Sequence, residues 1–497
     1  MRPLILYLLL FILVNRVYGN RHFRLGRREN GNLGAPGAFE DNETPAPKWF
    51  SQKLDHSNPS DLRTWNQRYY MNDSFYDYED PGPIFLMIGG EGPADPRWMV
   101  KGTWIEYAKL FKALCFNLEH RYYGESRPTT DLSVKNLQFL SSQQALADLA
   151  NFINAMNQKL KLRKNVKWMV FGGSYPGSLA AWLRMKYPHL VYGAVSSSAP
   201  LLAKVDFMEY FQVVVKALRE KTGGDDCVNH LKEGMQQVDM MLKANPEVIE
   251  KEFKVCSPFQ GVSANDLKNF FNSIADDFAD LVQYNEDNRF SVDEKYKNVT
   301  INTVCKILTD SEGNKAAYKK LAEFNAITLE KSHETCMDYN YGKMINELRA
   351  VEWKENTGGA RQWMYQTCTE FGFYQTSSGA ADIFGNHFDL DFFVQQCMDI
   401  FGQKYNLDFI RNAVAWTNTK YGALDIEVTR VVYVQGSVDP WHALGILKTQ
   451  DNGAPAIYIN GTAHCANMYS PSDNDSTELT EARVEIQQFL DSWLREP

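Results

Sequence analysis

Phe171-Gly172-Gly173-Ser174-Tyr175-Pro176-Gly177 follows an apolar, strand-like run, Val166 to Phe171, and leads into a helix-like run, Leu179 to Met185. A serine among small residues at a strand-to-helix junction reads as a nucleophile elbow. A serine hydroxyl is a poor nucleophile until a sharp turn presents it to a neighbouring base, and glycines on either side let the backbone pack that tightly. Ser174 is therefore the first candidate for chemistry. The strict pattern G-x-S-x-G would put glycine at 176, where this chain has Pro176 and defers glycine to Gly177. Taken alone, the motif competes with an ordinary Gly-Ser turn.

Around the elbow, apolar strand-like runs (Ile84 to Ile88, Leu114 to Leu118, Val166 to Phe171, Ala194 to Ser198) alternate with helical patterns (Gln144 to Leu160, Ser178 to Tyr187). Such alternation predicts a mostly parallel sheet with helices on both faces. From about 201 to 400 the strand signal fades, and helix-period segments such as Tyr210 to Arg219, Leu267 to Val282 and Ala316 to Leu329 take over. A β-branched strand returns at Val428 to Val434, another follows at Ala456 to Ile459, and Glu481 to Leu494 has the apolar stripe of a last helix. The reading is an α/β domain in two parts, 47–200 and 401–497, with a helical insertion at 201–400.

An elbow serine needs a base and an acid, which in an α/β-hydrolase follow it in the chain order Asp or Glu, then His, each on a loop at the carboxyl end of a strand. The run Val431 to Val434 leads into Gln435-Gly436-Ser437-Val438-Asp439-Pro440-Trp441, and Ala456 to Ile459 leads into Asn460-Gly461-Thr462-Ala463-His464. Asp439 and His464 stand where that order requires. Strand-end aspartates often cap turns, and lone histidines are usually satisfied polar residues; the joint order is what favours chemistry. His442 is expected to share the turn of Asp439, His120 precedes the nucleophile and reads as structural, and Asp425 lies before its strand rather than after it. For the oxyanion, the backbone N–H of Tyr175 is one expected donor, and the glycine-rich loop Ile88-Gly89-Gly90-Glu91-Gly92-Pro93 offers Gly90 or Glu91 as the second. A phosphate loop is the alternative for that stretch, but its lysine is missing. No metal or cofactor is expected.

Residues 1–19 begin with Arg2, continue as the apolar run Leu4 to Val14 and end in Gly19, the layout of a signal peptide. That run is shorter than the ~20 residues of a bilayer span, so no stable membrane anchor is expected. Sequons at Asn42, Asn72, Asn298, Asn460 and Asn474 agree with a secretory route. The stretch 20–46, rich in Gly, Asn and Arg, reads as a flexible lead-in or pro-segment, with Arg27-Arg28 a candidate processing site. A net charge of -9 argues against a nucleic-acid partner. Of eight cysteines, six fall between Cys227 and Cys397, so the insertion is expected to be stapled by disulfides in a pairing the sequence leaves open. Cys115 reads as a buried free thiol, and Cys465 as a less favoured nucleophile than Ser174 because it has no elbow.

The chain resembles the serine peptidases that include prolyl carboxypeptidase, dipeptidyl peptidase II and thymus-specific serine protease. The resemblance spans nearly the whole mature chain. It is carried by Glu119-His120-Arg121-Tyr122-Tyr123-Gly124-Glu125-Ser126, Gln144-Ala145-Leu146-Ala147-Asp148, Gly172-Gly173-Ser174-Tyr175 with Arg184-Met185-Lys186-Tyr187-Pro188-His189, Cys368-Thr369-Glu370 and Asp439-Pro440-Trp441. It implies an α/β-hydrolase with an inserted helical cap, a lysosomal, vesicular or extracellular setting, and cleavage of peptides next to proline, with a homodimer left open. The triad carries over to Ser174, Asp439 and His464. Pro176 with Ser178 looks like the thymus-specific branch, and Cys465 stands where the exopeptidases tend to carry a second histidine. Trp441, Met468 and Ser178 are the expected pocket residues, because a proline ring needs flat apolar walls; core packing is the alternative for the first two. Glu370 and Glu91 could hold a peptide amino terminus, with a structural carboxylate the favoured reading of each. Other readings are an esterase or lipase of the same fold, against which the charged, cysteine-rich insertion argues, and a catalytically silent hydrolase-fold binding protein, against which the complete triad argues.

Overall fold

The structure, a computed structural model, describes residues 24–28, 31–37, 44–286, 298–353, 358–450 and 453–496; the expected signal peptide and Asn42 lie outside them. An eight-stranded sheet organises the chain. In chain order its strands are β1 (Lys48–Lys53), β2 (Thr64–Asn72), β3 (Ile84–Ile88), β4 (Leu114–Leu118), β5 (Trp168–Gly173), β6 (Gly193–Ser197), β9 (Val431–Gly436) and β10 (Ala456–Ile459). The spatial order is β1-β2-β4-β3-β5-β6-β9-β10. From β4 to β10 all neighbours run parallel, while β2 is antiparallel to both β1 and β4. A short pair, β7 (Lys204–Asp206) and β8 (Gly372–Tyr374), stands apart from it.

The central strands are buried along their whole length and mostly apolar because both faces are covered. Alternation sorts their side chains: Ile84, Leu86 and Ile88 join one core, and Phe85 and Met87 the other. The first core takes in the helices Ser142–Lys159 and Tyr175–Lys186, and the second takes in Thr103–Phe111 and Thr477–Arg495. Ser141 caps its helix by accepting the N–H of Gln144, and Ser476 caps the last helix by accepting that of Leu479.

Between β6 and β9 the chain builds a helical cap whose core is continuous with the sheet face bearing Ile84, Leu86 and Ile88. Its cysteines pair as Cys227–Cys305, Cys256–Cys336 and Cys368–Cys397, and Cys115 and Cys465 are buried free thiols. The helical run continues past residue 400 through Leu407–Tyr421, whose Thr417 hydroxyl donates to the Glu370 carbonyl, before β9 resumes the sheet. Altogether this is an α/β-hydrolase fold carrying a disulfide-stapled helical cap.

Three of the sequon asparagines, Asn298, Asn460 and Asn474, are exposed. Asn72 is half-buried and donates its amide to the Met99 carbonyl at 2.7 Å. No helix among the described residues is long and apolar enough to cross a membrane.

Candidate active site

Ser174 stands between β5 and the helix Tyr175–Lys186, with φ 65° and ψ -134°. Such a backbone is costly for a residue with a Cβ, and the packing around the turn enforces it. The Ser174 N–H donates to the Ser197 carbonyl at 2.9 Å. A Cβ on Gly172 would come within 2.1 Å of the Pro176 carbonyl oxygen, and one on Gly177 within 2.7 Å of the Ser197 carbonyl oxygen. The deferred glycine is therefore needed where it stands, against β6. Pro176 has its own place: a Cβ on Gly90 would lie 2.3 Å from the Pro176 ring. The loop after β3 thus reaches the elbow through a glycine, beside the N–H of Tyr175, which as the first helical residue has no partner within its helix.

Asp439 and His464 lie on the loops after β9 and β10. Asp439 Oδ2 accepts His464 Nδ1–H at 2.8 Å, and Oδ1 accepts the Trp441 N–H at 3.0 Å. One carboxylate therefore both caps its turn and orients the imidazole. Both side chains are fully buried. Burial alone would lower His464, but the Asp439 carboxylate outweighs it and raises the ring above its ordinary value. His464 Nε2 is buried without a hydrogen-bond partner. The histidine loop is packed on the elbow: a Cβ on Gly173 would meet Cys465 Sγ at 2.9 Å, and the Cys465 N–H donates to Ser198 Oγ.

His442 shares the Pro440–Leu444 turn with Asp439, its Nδ1 on the Gly436 carbonyl. His120 places Nδ1 on the Arg121 carbonyl at 2.7 Å and Nε2 on the Tyr175 hydroxyl at 3.0 Å, and burial lowers it to about 4. Since Nδ1 faces an acceptor, it carries the hydrogen and Nε2 accepts. Asp425 is exposed, ahead of β9. Glu119 pairs with Arg68 and Arg121 with Asp148, so these charges brace the loop that follows β4.

Trp441 is buried beside the imidazole, ring centroids 6.5 Å apart, and its Nε1 donates to Gln283 Oε1. Ser178 commits its hydroxyl to the Pro200 carbonyl, and Met468 packs into the core beneath Gly173. Glu370 is held by the N–H and hydroxyl of Ser142, a structural use. Glu91 differs: it is buried, Oε1 accepts the Asn32 N–H, and Oε2 has no partner. Gln283 and Tyr284 come from the end of a cap helix, with the Gln283 carbonyl accepting the His464 N–H. Neither was marked by any local motif, because the contact joins the cap to a loop far along the chain. No cluster of His, Cys, Asp and Glu suited to a metal occurs among the described residues.

A parallel sheet with a strained serine after one strand and a joined aspartate and histidine after two later ones defines the α/β-hydrolase class with a candidate Ser-His-Asp site. More narrowly, the chain belongs to the serine carboxypeptidase S28 family, whose family model matches residues 52–486. A Caenorhabditis elegans relative named as a serine protease is 38% identical over 457 residues, covering 90% of this chain and 87% of that one. Thymus-specific serine protease of Mus musculus is 35% identical over 462 residues (91% and 88%), and lysosomal Pro-X carboxypeptidase of Homo sapiens 28% over 461 residues (90% and 88%).

Proposed function

We propose that this chain hydrolyses peptide bonds next to proline, as an exopeptidase, through an acyl-enzyme on Ser174. The observation that carries the reading is the buried Asp439–His464 pair, whose Nε2 is left unpaired beside the elbow. In this mechanism Ser174 Oγ attacks the scissile carbonyl and His464 Nε2 accepts its proton, then returns it to the leaving amine. Asp439 keeps the imidazole in the tautomer that can accept and stabilises the imidazolium. The Tyr175 amide, with an amide of the Gly90-Glu91 loop, receives the developing oxyanion. Water then attacks the acyl ester by the same route in reverse.

Proline preference rests on Trp441, whose flat indole is held by Gln283 within reach of the imidazole, and on the Pro-X carboxypeptidase relative. A secretory or lysosomal setting is supported by the signal-like leader, three exposed sequon asparagines and three disulfides. The test is hydrolysis of a peptide panel with proline at each position and with free or blocked termini. Release beside proline that requires one free terminus is expected; turnover of acyl esters with no peptide cleaved would favour the esterase reading instead.

A further inference from the structure

The cleft over Ser174 holds part of this chain's own amino-terminal segment. Arg24 and Arg27 pair in a tight antiparallel turn, each N–H to the other's carbonyl at 2.9 Å, with Leu25 and Gly26 at its tip in the left-handed region. The tip sits on the candidate proline wall: a Cβ on Gly26 would lie 2.4 Å from Gln375 Nε2 and 2.5 Å from Trp441. Only glycine fits there. Gln283 Nε2 donates to the Gly26 carbonyl, and the guanidinium of Arg27 donates to the Glu91 carbonyl, on the loop expected to serve the oxyanion. Arg28 pairs with Asp280 at 2.8 Å and lies over the Tyr284 ring.

Asn32 completes the contact. Its N–H donates to Glu91 Oε1 at 2.8 Å, Tyr284 donates its hydroxyl to Asn32 Oδ1 at 2.9 Å, and Asn32 Nδ2 donates to Ser174 Oγ at 3.1 Å. Because Tyr284 fixes which end of the carboxamide is oxygen, it is the amide N–H that faces the nucleophile. Ser174 thus meets a donor rather than an electrophilic carbonyl, so the segment is not placed as a substrate. Meanwhile His464 Nε2, the atom that would accept the serine proton, has no hydrogen-bond partner. The triad is joined at its Asp–His link and open at its Ser–His link.

We infer that residues 24–28 and 31–37 are parts of an intramolecular inhibitor that occupy the substrate cleft and that the chain is activated when they leave it. The inference rests on the peptidase reading for the identity of the site, not for the fit of the segment. Buried Leu25, Arg27 and Asn32, and two positive-φ glycines, Gly26 and Gly31, packed against Trp441 and Gly92, make a built complement rather than a loose tail. The fit also moves the processing site. Arg27 is buried and Arg28 is ion-paired, so the Arg27-Arg28 bond is not presented to a protease, whereas Ala46 and Pro47 are exposed just before β1. Hydrolysis there by an endopeptidase, with water adding across one peptide bond, would free the segment from its tether.

The test inserts the recognition site of a specific endopeptidase between Ala46 and Pro47 and follows the reaction of the intact and cut proteins with a fluorophosphonate probe. Cutting, and independently the Asn32→Ala and Arg27→Ala variants of the uncut chain, should accelerate labelling about tenfold or more. A synthetic peptide of residues 24–37 should bind the cut protein and slow its labelling; since a tether of this length supplies an effective concentration near ~1 mM, the free peptide is tested up to that range. Equal labelling rates for the intact chain, the cut chain and both variants would overturn the inference. Should no form label, the nucleophile assignment fails instead, and peptide binding decides this inference: absence of binding to the cut protein overturns it, and binding lost in the Asn32→Ala peptide sustains it. A cut protein that labels quickly but cleaves no peptide would count against the proposed function alone.

Discussion

Asp439 accepts the Nδ1–H of His464 at 2.8 Å with no solvent reaching either side chain. A buried carboxylate so placed selects the tautomer whose Nε2 can receive a proton, and it also holds the ring's charge. Two consequences are measurable.

In the first, Asp439→Asn keeps the size and the Trp441 N–H acceptor but can present the wrong group to His464. The expected loss in kcat is about three to four orders of magnitude with little change in secondary structure, measured on the cut enzyme with a peptide substrate. Stability should change in its pH dependence too. His464 is raised above 6.5 by the carboxylate, so its contribution is full below about 6.5 and is lost as the pH rises through the raised value. Denaturant titrations should show that alkaline slope in the parent and a flatter one in Asp439→Asn.

His120 gives the opposite sign. Its folded value is lowered from 6.5 to about 4 by burial, so the unfolded chain takes up the proton first as pH falls. Stability from this site is full above about 6.5 and declines toward pH 4, by about 3 kcal/mol. Glu119 and Glu370, buried carboxyls pushed upward by desolvation, slope the other way, so the quantity to measure is the difference between the parent and His120→Gln. That difference should shrink as the pH falls from about 6.5 toward 4.

Gly90 and Pro176 form a close approach between two chain segments. Gly90→Ala should destabilise by about 1–3 kcal/mol and lower activity by moving the loop beside the elbow. Adding Pro176→Ala removes the ring atoms that the new methyl would strike, so the double variant should recover much of that loss in thermal melts. An additive double variant would mean the contact is not what Gly90 serves.

Much of the fold was legible. Ile84–Ile88, Leu114–Leu118 and Ala456–Ile459 are strands over the residues expected; in the first two the largely apolar run is what a strand covered on both faces requires. The antiparallel pair β1 and β2 was not anticipated. Lys48–Lys53 is largely exposed and Thr64–Asn72 alternates Trp65, Gln67 and Tyr69 inward with polar neighbours outward, a pattern of an edge rather than of a core. The elbow and its partners followed from chain order, but Gln283, Tyr284 and Asn32 could not, because each acts on residues remote in sequence. Composition made this lead-in look unstructured; what holds residues 24–28 and 31–37 is a cleft assembled from Glu91, Gln283 and Trp441.

The most direct test of the account is the site of covalent modification. The protein cut between Ala46 and Pro47 is treated with a fluorophosphonate, digested, and mapped by mass spectrometry. A single adduct on Ser174, absent from a folded Ser174→Ala variant, is the predicted result; an adduct on another residue, or labelling that persists in that variant, would contradict it.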